Sequence, residues 1–232
     1  MQEILRINID SVRDRIAAAA RRAGRDPSEI TLIAVSKTRS AQEIDAAAEL
    51  GITDVGENKV QEIVAKQPDV KARLRWHLIG HLQTNKVKAV IGKVDVIHSV
   101  DSIHLAEEID KRAAQLNIVK DILLQVNVAG EEQKSGFSLD EFRDSAADIA
   151  DRFKNVRIRG LMQVAPDTDD PEEVRVYFRQ LKDLFEELKK ETAPQADMLS
   201  MGMSGDFEVA VEEGATHVRV GTAIFGNRDY SK

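Results

Sequence analysis

Apolar residues recur at near-helical spacing through the first twenty positions, at Ile4, Ile7, Val12, Ile16 and Ala19/Ala20, before Gly24 and Pro27 stop the pattern. The spacing predicts a leading helix. Beyond it, short β-branched or apolar runs alternate with longer amphipathic stretches, as parallel strands joined by crossover helices do. Eight such runs stand out: ITLIAVS (31–36 with its lead-in), TDVGE (53–57), RWHLIG (75–80), VDVIHSV (94–100), DILLQVN (121–127), VRIRGLMQV (156–164), MLSMGM (198–203) and HVRVG (217–221). Most are nearly continuous in hydrophobicity, which suits strands buried on both faces. No GxGxxG or P-loop follows the first run to mark an open nucleotide-binding sheet. The pattern therefore predicts an α/β fold, a single (β/α)8 barrel of the TIM type with an extra N-terminal helix, in one domain spanning 1–232. The segment APDTDDPEE (165–173) reads as a polar loop entering a helix near Pro171, not as a domain boundary.

Composition narrows the chemistry. With 42% hydrophobic and 31% charged residues, the 232-residue chain has the balance of a packed soluble protein. Its net charge of −7 works against broad phosphate-backbone contact, so nucleic acid is discounted as a partner. The absence of cysteine removes disulfides, thiolate-ligated zinc and thiol nucleophiles together. The N-terminal stretch is charged throughout, and no apolar run approaches the roughly 20 residues that span a bilayer. The expected address is the cytoplasm, without membrane contact. No exposed apolar stripe is evident, which leans toward a monomer.

A (β/α)8 barrel carries its chemistry at the C-terminal strand ends, and these are polar here: Ser36-Lys37-Thr38, Glu57-Asn58, His77 with Gly80-His81, His98-Ser99, Gln125, Gln163, Gly202-Met203-Ser204, and Arg219 with Gly221-Thr222. Lys37 follows LIAV directly, so a primary amine arrives at a water-poor mouth that favours its neutral, nucleophilic form. Schiff-base formation with a carbonyl is its characteristic use. A lysine merely leaving the core for solvent fits the same residues. Gly202-Met203-Ser204 and Gly221-Thr222 lie on adjacent strand ends where barrels commonly seat a phosphate, with Arg219 to add charge. Turn glycines and capping hydroxyls are the plainer alternative. Together with the lysine, they suit a phosphorylated carbonyl compound. His77 and His81 are poor zinc ligands because Gly80 interrupts any helix between them; hydrogen bonding at the strand end or capping fits better. Glu131, Glu132, Lys134 and Gly136 read as a solvated loop.

The segments AVSKT (34–38), GENKVQE (56–62), WHLIGHLQTNK (76–86), HSVDS (98–102), QVNVAGEEQKSG (125–136), GLM (160–162) and LSMGMSGDFEVAVEEGATHVRVGTAIFG (199–226) resemble the pyridoxal 5′-phosphate (PLP) homeostasis protein family, barrels related to the N-terminal domain of alanine racemase. The likeness spans nearly the whole chain. It implies that PLP is held as a Schiff base on Lys37, with its phosphate around Ser204, Gly221 and Thr222. Arg219 then lies at the cofactor, against either phosphate or pyridine nitrogen, and Asn58, His81 and Met201 line the same pocket. It implies PLP homeostasis and delivery to PLP-dependent apoenzymes, without robust catalysis. Two departures bear on this. Lys59 stands where an aromatic residue is usual, either as a second amine near the pocket or as an exposed helix lysine. The racemases complete their site with a tyrosine from a further domain, whereas the tyrosines here are Tyr177 and Tyr230, neither on an expected strand end. An amino-acid racemase or decarboxylase is the alternative using the same pocket, and a lysine-dependent aldolase-type barrel is another.

Overall fold

The computed structural model describes residues 2–131 and 133–226. Its elements run α1 (Gln2–Arg22), β1 (Thr31–Val35), α2 (Ala41–Glu49), β2 (Asp54–Glu57), α3 (Val60–Lys66), β3 (Arg75–Leu78), α4 (Val87–Val90), β4 (Val96–Val100), α5 (Ile103–Gln115), β5 (Lys120–Gln125), α6 (Leu139–Arg152), β6 (Val156–Met162), α7 (Arg175–Glu191), β7 (Met198–Ser200), α8 (Phe207–Glu212), β8 (His217–Val220) and α9 (Thr222–Phe225). Each strand pairs in parallel with the next, and β8 pairs back onto β1 with Thr31 opposite His217 and Ala34 opposite Val220. The eight expected strands close into a TIM-type barrel preceded by the N-terminal helix.

Local chemistry sets the helix starts. Ser40 and Glu43 form a capping box at α2, Ser138 and Glu141 form another at α6, and Ser102 accepts from the Leu105 N–H at α5. The 165–173 connection ends in a 3-10 turn over Pro171–Val174, capped by Asp170, so α7 proper begins at Arg175 and not at the proline. Strand seven stops at Ser200, short of the expected 203, because Gly202 turns the backbone at φ +88°.

The leading helix buries a different face from the one its isoleucines suggest. Leu5, Ile9, Val12 and Ile16 pack inward, whereas Ile4 and Ile7 are 65% and 60% exposed. The i, i+4, i+7, i+11 spacing from Leu5 keeps one stripe on the barrel. That helix also holds α8 and α9: Asn8 Nδ2 donates to the Ile224 carbonyl at 2.8 Å, and Arg15 and Arg22 pair with Glu208 and Glu212 of α8.

Strand alternation divides the core. Ala34, Val55, Leu78, Ile97, Leu124, Leu161, Leu199 and Val218 face the helices in one large apolar cluster, while Val96, Leu123, Met162 and Met198 form a small one of their own. Asp54, His77, His98, Ser200, His217 and Arg219 are buried among these strands, and the site is built over them.

Candidate functional site

Lys37 lies two residues past Val35, half-buried at the end of β1. Its backbone is fixed from behind the wall. The Lys66 amine donates to the Ser36 carbonyl at 2.9 Å and to Glu57 and Glu62, and the Thr38 N–H donates to Glu62 at 2.7 Å. Ser36 Oγ donates to Glu57 Oε1 at 2.6 Å. Burial pushes the Glu57 carboxyl up against the opposing pull of Lys66 and Ser36. Thr38 adopts φ +66°, a conformation a β-branched residue rarely takes, and the Glu62 contact holds it there. The chain thus turns sharply just after the lysine.

Barrel closure brings β8 beside that turn. A Cβ on Gly221 would lie 3.3 Å from Val35, and the Gly221 and Ala223 N–H groups both point at Ser204 Oγ, at 3.3 and 3.5 Å. Ser204 is carried on a loop that leaves β7 at Gly202, where a Cβ would sit 2.6 Å from Ala210 and 2.9 Å from the Phe207 backbone. Only glycine fits this approach. The Met203 N–H donates to Asp206 at 2.5 Å and closes the loop. Thr222 is exposed beside it. The sequence-derived set Lys37, Ser204, Gly221 and Thr222 therefore gathers on adjoining strand ends. Two amides converging on one hydroxyl form a cradle for an oxyanion.

Arg219 lies below this rim, 4% exposed on the inner face of β8. Its guanidinium donates to Ser200 Oγ at 2.6 Å and to the Gln163 carbonyl at 2.7 Å, reaching across to β6 and β7 and not toward Ser204. Burial lowers its pKa to about 10, with Asp206 opposing, and it stays cationic at neutral pH. Across the mouth, a cavity of about 200 Å³ is lined by Asn58, His81, Gln125, Asn127, Lys134 and Ser135 among others. Asn58 Oδ1 and Gln163 Nε2 are buried without a hydrogen-bond partner, which is costly unless a bound group completes them. His81 is exposed and bonds Asp101 at 3.2 Å. A larger depression of about 1290 Å³ runs down the flank between α1, α2 and residues 71–74; it lies outside the barrel and gathers no buried charge.

Three readings from sequence are corrected. Met201 is fully buried in the helix-facing cluster, because Ser200 takes the inward position of β7 and its neighbour must point outward. His77 does not cap the strand end; it is wholly buried inside the barrel, bonded to Asp54 and His98. The 131–136 loop is not simply solvated. Lys134 is half-buried, donates to the Ala165 carbonyl at 3.0 Å, pairs with Glu131 and lines the cavity; Glu132 lies outside the described residues. Lys59 is an exposed residue at the start of α3. Tyr177 packs on the outer core from α7, and Tyr230 lies outside the described residues. Among the described residues no cluster suited to a metal ion occurs, and no helix is long and apolar enough to cross a membrane.

Sequence reading missed the interior itself. Asp54 accepts from His77 Nε2 at 2.9 Å; His77 Nδ1 meets His98 Nε2 at 2.9 Å; His98 Nδ1 meets Ser200 Oγ at 3.0 Å. Burial acts against the charged Asp54, but His77, Thr53 and Arg75 outweigh it and hold its carboxyl below the usual range. Burial pushes His98 well below 6.5 and His217 down to about 3, so both rings are neutral in the folded protein. The unfolded chain would protonate both near pH 6.5. The unfolded state therefore binds more protons below that pH, and stability is lost as pH falls from about 6.5 toward the folded pKa values. For His217 alone the loss is about 2 kcal/mol at pH 5 relative to pH 7. Urea unfolding at the two pH values, repeated with His217→Gln, measures this; an unchanged pH dependence in the variant would refute it.

This geometry matches a known class. The family model for the alanine racemase N-terminal domain matches residues 7–229, and alanine racemase of Clostridium difficile 630 shares the fold at a TM-score of 0.70, 15% identity and 97% coverage of this chain, which spans 57% of that one. The chain is thus a barrel of the alanine racemase N-terminal type. Within that class, the pyridoxal phosphate homeostasis protein of Aquifex aeolicus (strain VF5) is 46% identical over 223 residues, 96% of this chain and 97% of the relative. That of Escherichia coli (strain K12) is 44% identical over 231 residues, 97% of each. PipY of Synechococcus elongatus PCC7942, whose structure has PLP bound, superposes with a TM-score of 0.82 at 37% identity, over 96% of this chain and 100% of that one. The chain belongs to the pyridoxal phosphate homeostasis protein family.

Proposed function

We propose that the protein binds PLP as a Schiff base on Lys37, buffers the free cofactor in the cytoplasm and passes it to PLP-dependent apoenzymes, without robust catalysis of its own. The observation that carries this reading is the closure of β1 on β8, which sets the Lys37 turn beside the Ser204–Gly221 cradle with a buried guanidinium beneath. PLP supplies an aldehyde that condenses reversibly with a primary amine, releasing water. The protein's residues do the holding. Lys37 provides the amine, while Ser204, Thr222 and the Gly221 and Ala223 amides take the phosphate. Arg219, turned toward Ser200 and Gln163, serves the ring-nitrogen end. Asn58 and His81 line the remaining wall, and the unpartnered Asn58 Oδ1 is available to the ligand. Among the described residues, the exposed large apolar side chains are scattered as Ile4 and Ile7 on α1, Val64 on α3, Leu116 and Val119 between α5 and β5, Val176 on α7, and Val164 and Met203 at the rim, which supports a monomer.

An amino-acid racemase or decarboxylase would need groups placed to move protons at a bound amino acid. Tyr177 sits on the outer layer and serves no such role. Two measurements on the PLP-loaded protein test the proposal. Incubation with L- and D-amino acids in deuterium oxide is expected to give no α-proton exchange, and mixing with an apoenzyme is expected to restore that enzyme's activity. Rapid exchange without transfer would instead establish the enzyme.

A further inference from the structure

Arg219 is one end of a continuous buried chain that crosses the barrel interior to Asp54 on β2. Its links are Arg219 to Ser200 at 2.6 Å, Ser200 to His98 at 3.0 Å, His98 to His77 at 2.9 Å and His77 to Asp54 at 2.9 Å. His77, His98 and Ser200 are fully buried, and Asp54 is 3% exposed. Water cannot substitute for any partner.

The proton positions follow from the inventory of donors. The guanidinium has no acceptor, so it donates to Ser200 Oγ. Ser200 Oγ keeps its own proton to give, and His98 Nδ1 at 3.0 Å is the acceptor the chain offers it. A neutral His98 with an accepting Nδ1 carries its proton on Nε2 and donates to His77 Nδ1. His77 in turn donates from Nε2 to the Asp54 carboxylate. Every bond points the same way, from cation to anion. The reverse direction would need a second proton on His77 beside Asp54 and would leave the Ser200 hydroxyl proton without an acceptor in the chain, so the cation-to-anion direction is the one that uses every donor once.

We propose that Asp54, His77, His98 and Ser200 form a one-directional hydrogen-bond relay that positions Arg219, holding its guanidinium at the ring-nitrogen end of the cofactor from the opposite side of the barrel. These four are positioning residues. The inference rests on the PLP reading for its ligand, but the relay itself exists without ligand. Among the described residues, the other hydrogen bond of the Arg219 guanidinium is to the Gln163 carbonyl at 2.7 Å, so loss of Ser200's bond frees it to rotate about that contact.

The test has two parts. In the apoprotein at pH 7, ¹⁵N spectra of labelled histidine are expected to show the ring proton of both His77 and His98 on Nε2, with each Nδ1 unprotonated. An Nδ1 proton on either ring, or an imidazolium, would overturn the relay. For the loaded protein, PLP and its analogue with CH in place of the ring nitrogen are titrated into wild type, His98→Leu and His98→Gln. Leucine removes both bonds, whereas the glutamine amide can accept from Ser200 and donate to His77. His98→Leu is expected to weaken PLP at least about tenfold, with His98→Gln recovering most of the loss, and neither is expected to change the analogue's affinity much. Equal losses for PLP and the analogue, or a glutamine variant no better than leucine, would reduce His98 to a packing residue and refute the proposal. If wild type binds no PLP, the functional reading fails, and the ¹⁵N spectra still decide the relay.

Discussion

Lys37→Ala is expected to abolish the visible absorbance that develops when PLP is added, and to weaken PLP binding about 100-fold. The amine is the covalent handle of the proposed site, and losing a bond of roughly 3 kcal/mol in a reversible equilibrium corresponds to that factor. The cradle and Arg219 should retain residual, colourless binding. The effect is specific to this amine, because Lys37 is set at the strand end by the Lys66–Ser36 and Thr38–Glu62 contacts, whereas Lys59 is exposed at the start of α3. Lys59→Ala should therefore keep its colour. Absorbance titrations of both variants decide the matter; a coloured Lys37→Ala protein would show that another amine carries the aldehyde.

Gly202→Ala is expected to have the second largest effect, on stability and affinity together. The added methyl meets Ala210 at 2.6 Å and the Phe207 backbone at 2.9 Å, and φ is +88°. Overpacking costs about 1–3 kcal/mol and the backbone strain on the order of 1–3 kcal/mol more. The start of α8 must shift, taking Ser204 and the cradle with it. We expect a loss of about 2–5 kcal/mol in urea unfolding and at least a tenfold loss of PLP affinity. Pyridoxal, which lacks the phosphate, should lose much less. Gly205→Ala is the matched control, since nothing lies within 4 Å of a Cβ there. Equal behaviour of the two variants would mean that the Gly202 turn does not support the phosphate.

What could be read from the chain alone follows from how each feature is encoded. Strands and helices were legible because burial on both faces leaves continuous apolar runs, and the rim set Lys37, Ser204, Gly221 and Thr222 was legible because strand ends are where polarity begins. Met201 was misplaced because facing depends on strand register, and a one-residue difference moves a side chain from pocket to core. The leading helix was misphased in the same way, with Ile4 and Ile7 seeming inward when Leu5 and Ile9 are. The interior chain was hidden for a different reason. Asp54, His77, His98, Ser200 and His217 come from five strands, and only barrel closure makes them neighbours. A histidine at an inward position beside apolar neighbours, as at His77 and His98, is the signal the sequence carries for it.

One small molecule bridging the β1 turn and the β7–β8 cradle would be seen in a crystal structure of the protein soaked with PLP. Electron density should run unbroken from Lys37 Nζ to the ring, with the phosphate on the Gly221 and Ala223 amides and Ser204 and the ring nitrogen facing Arg219. A phosphate seated in the cavity by His81 and Lys134, with Lys37 unattached, would contradict it.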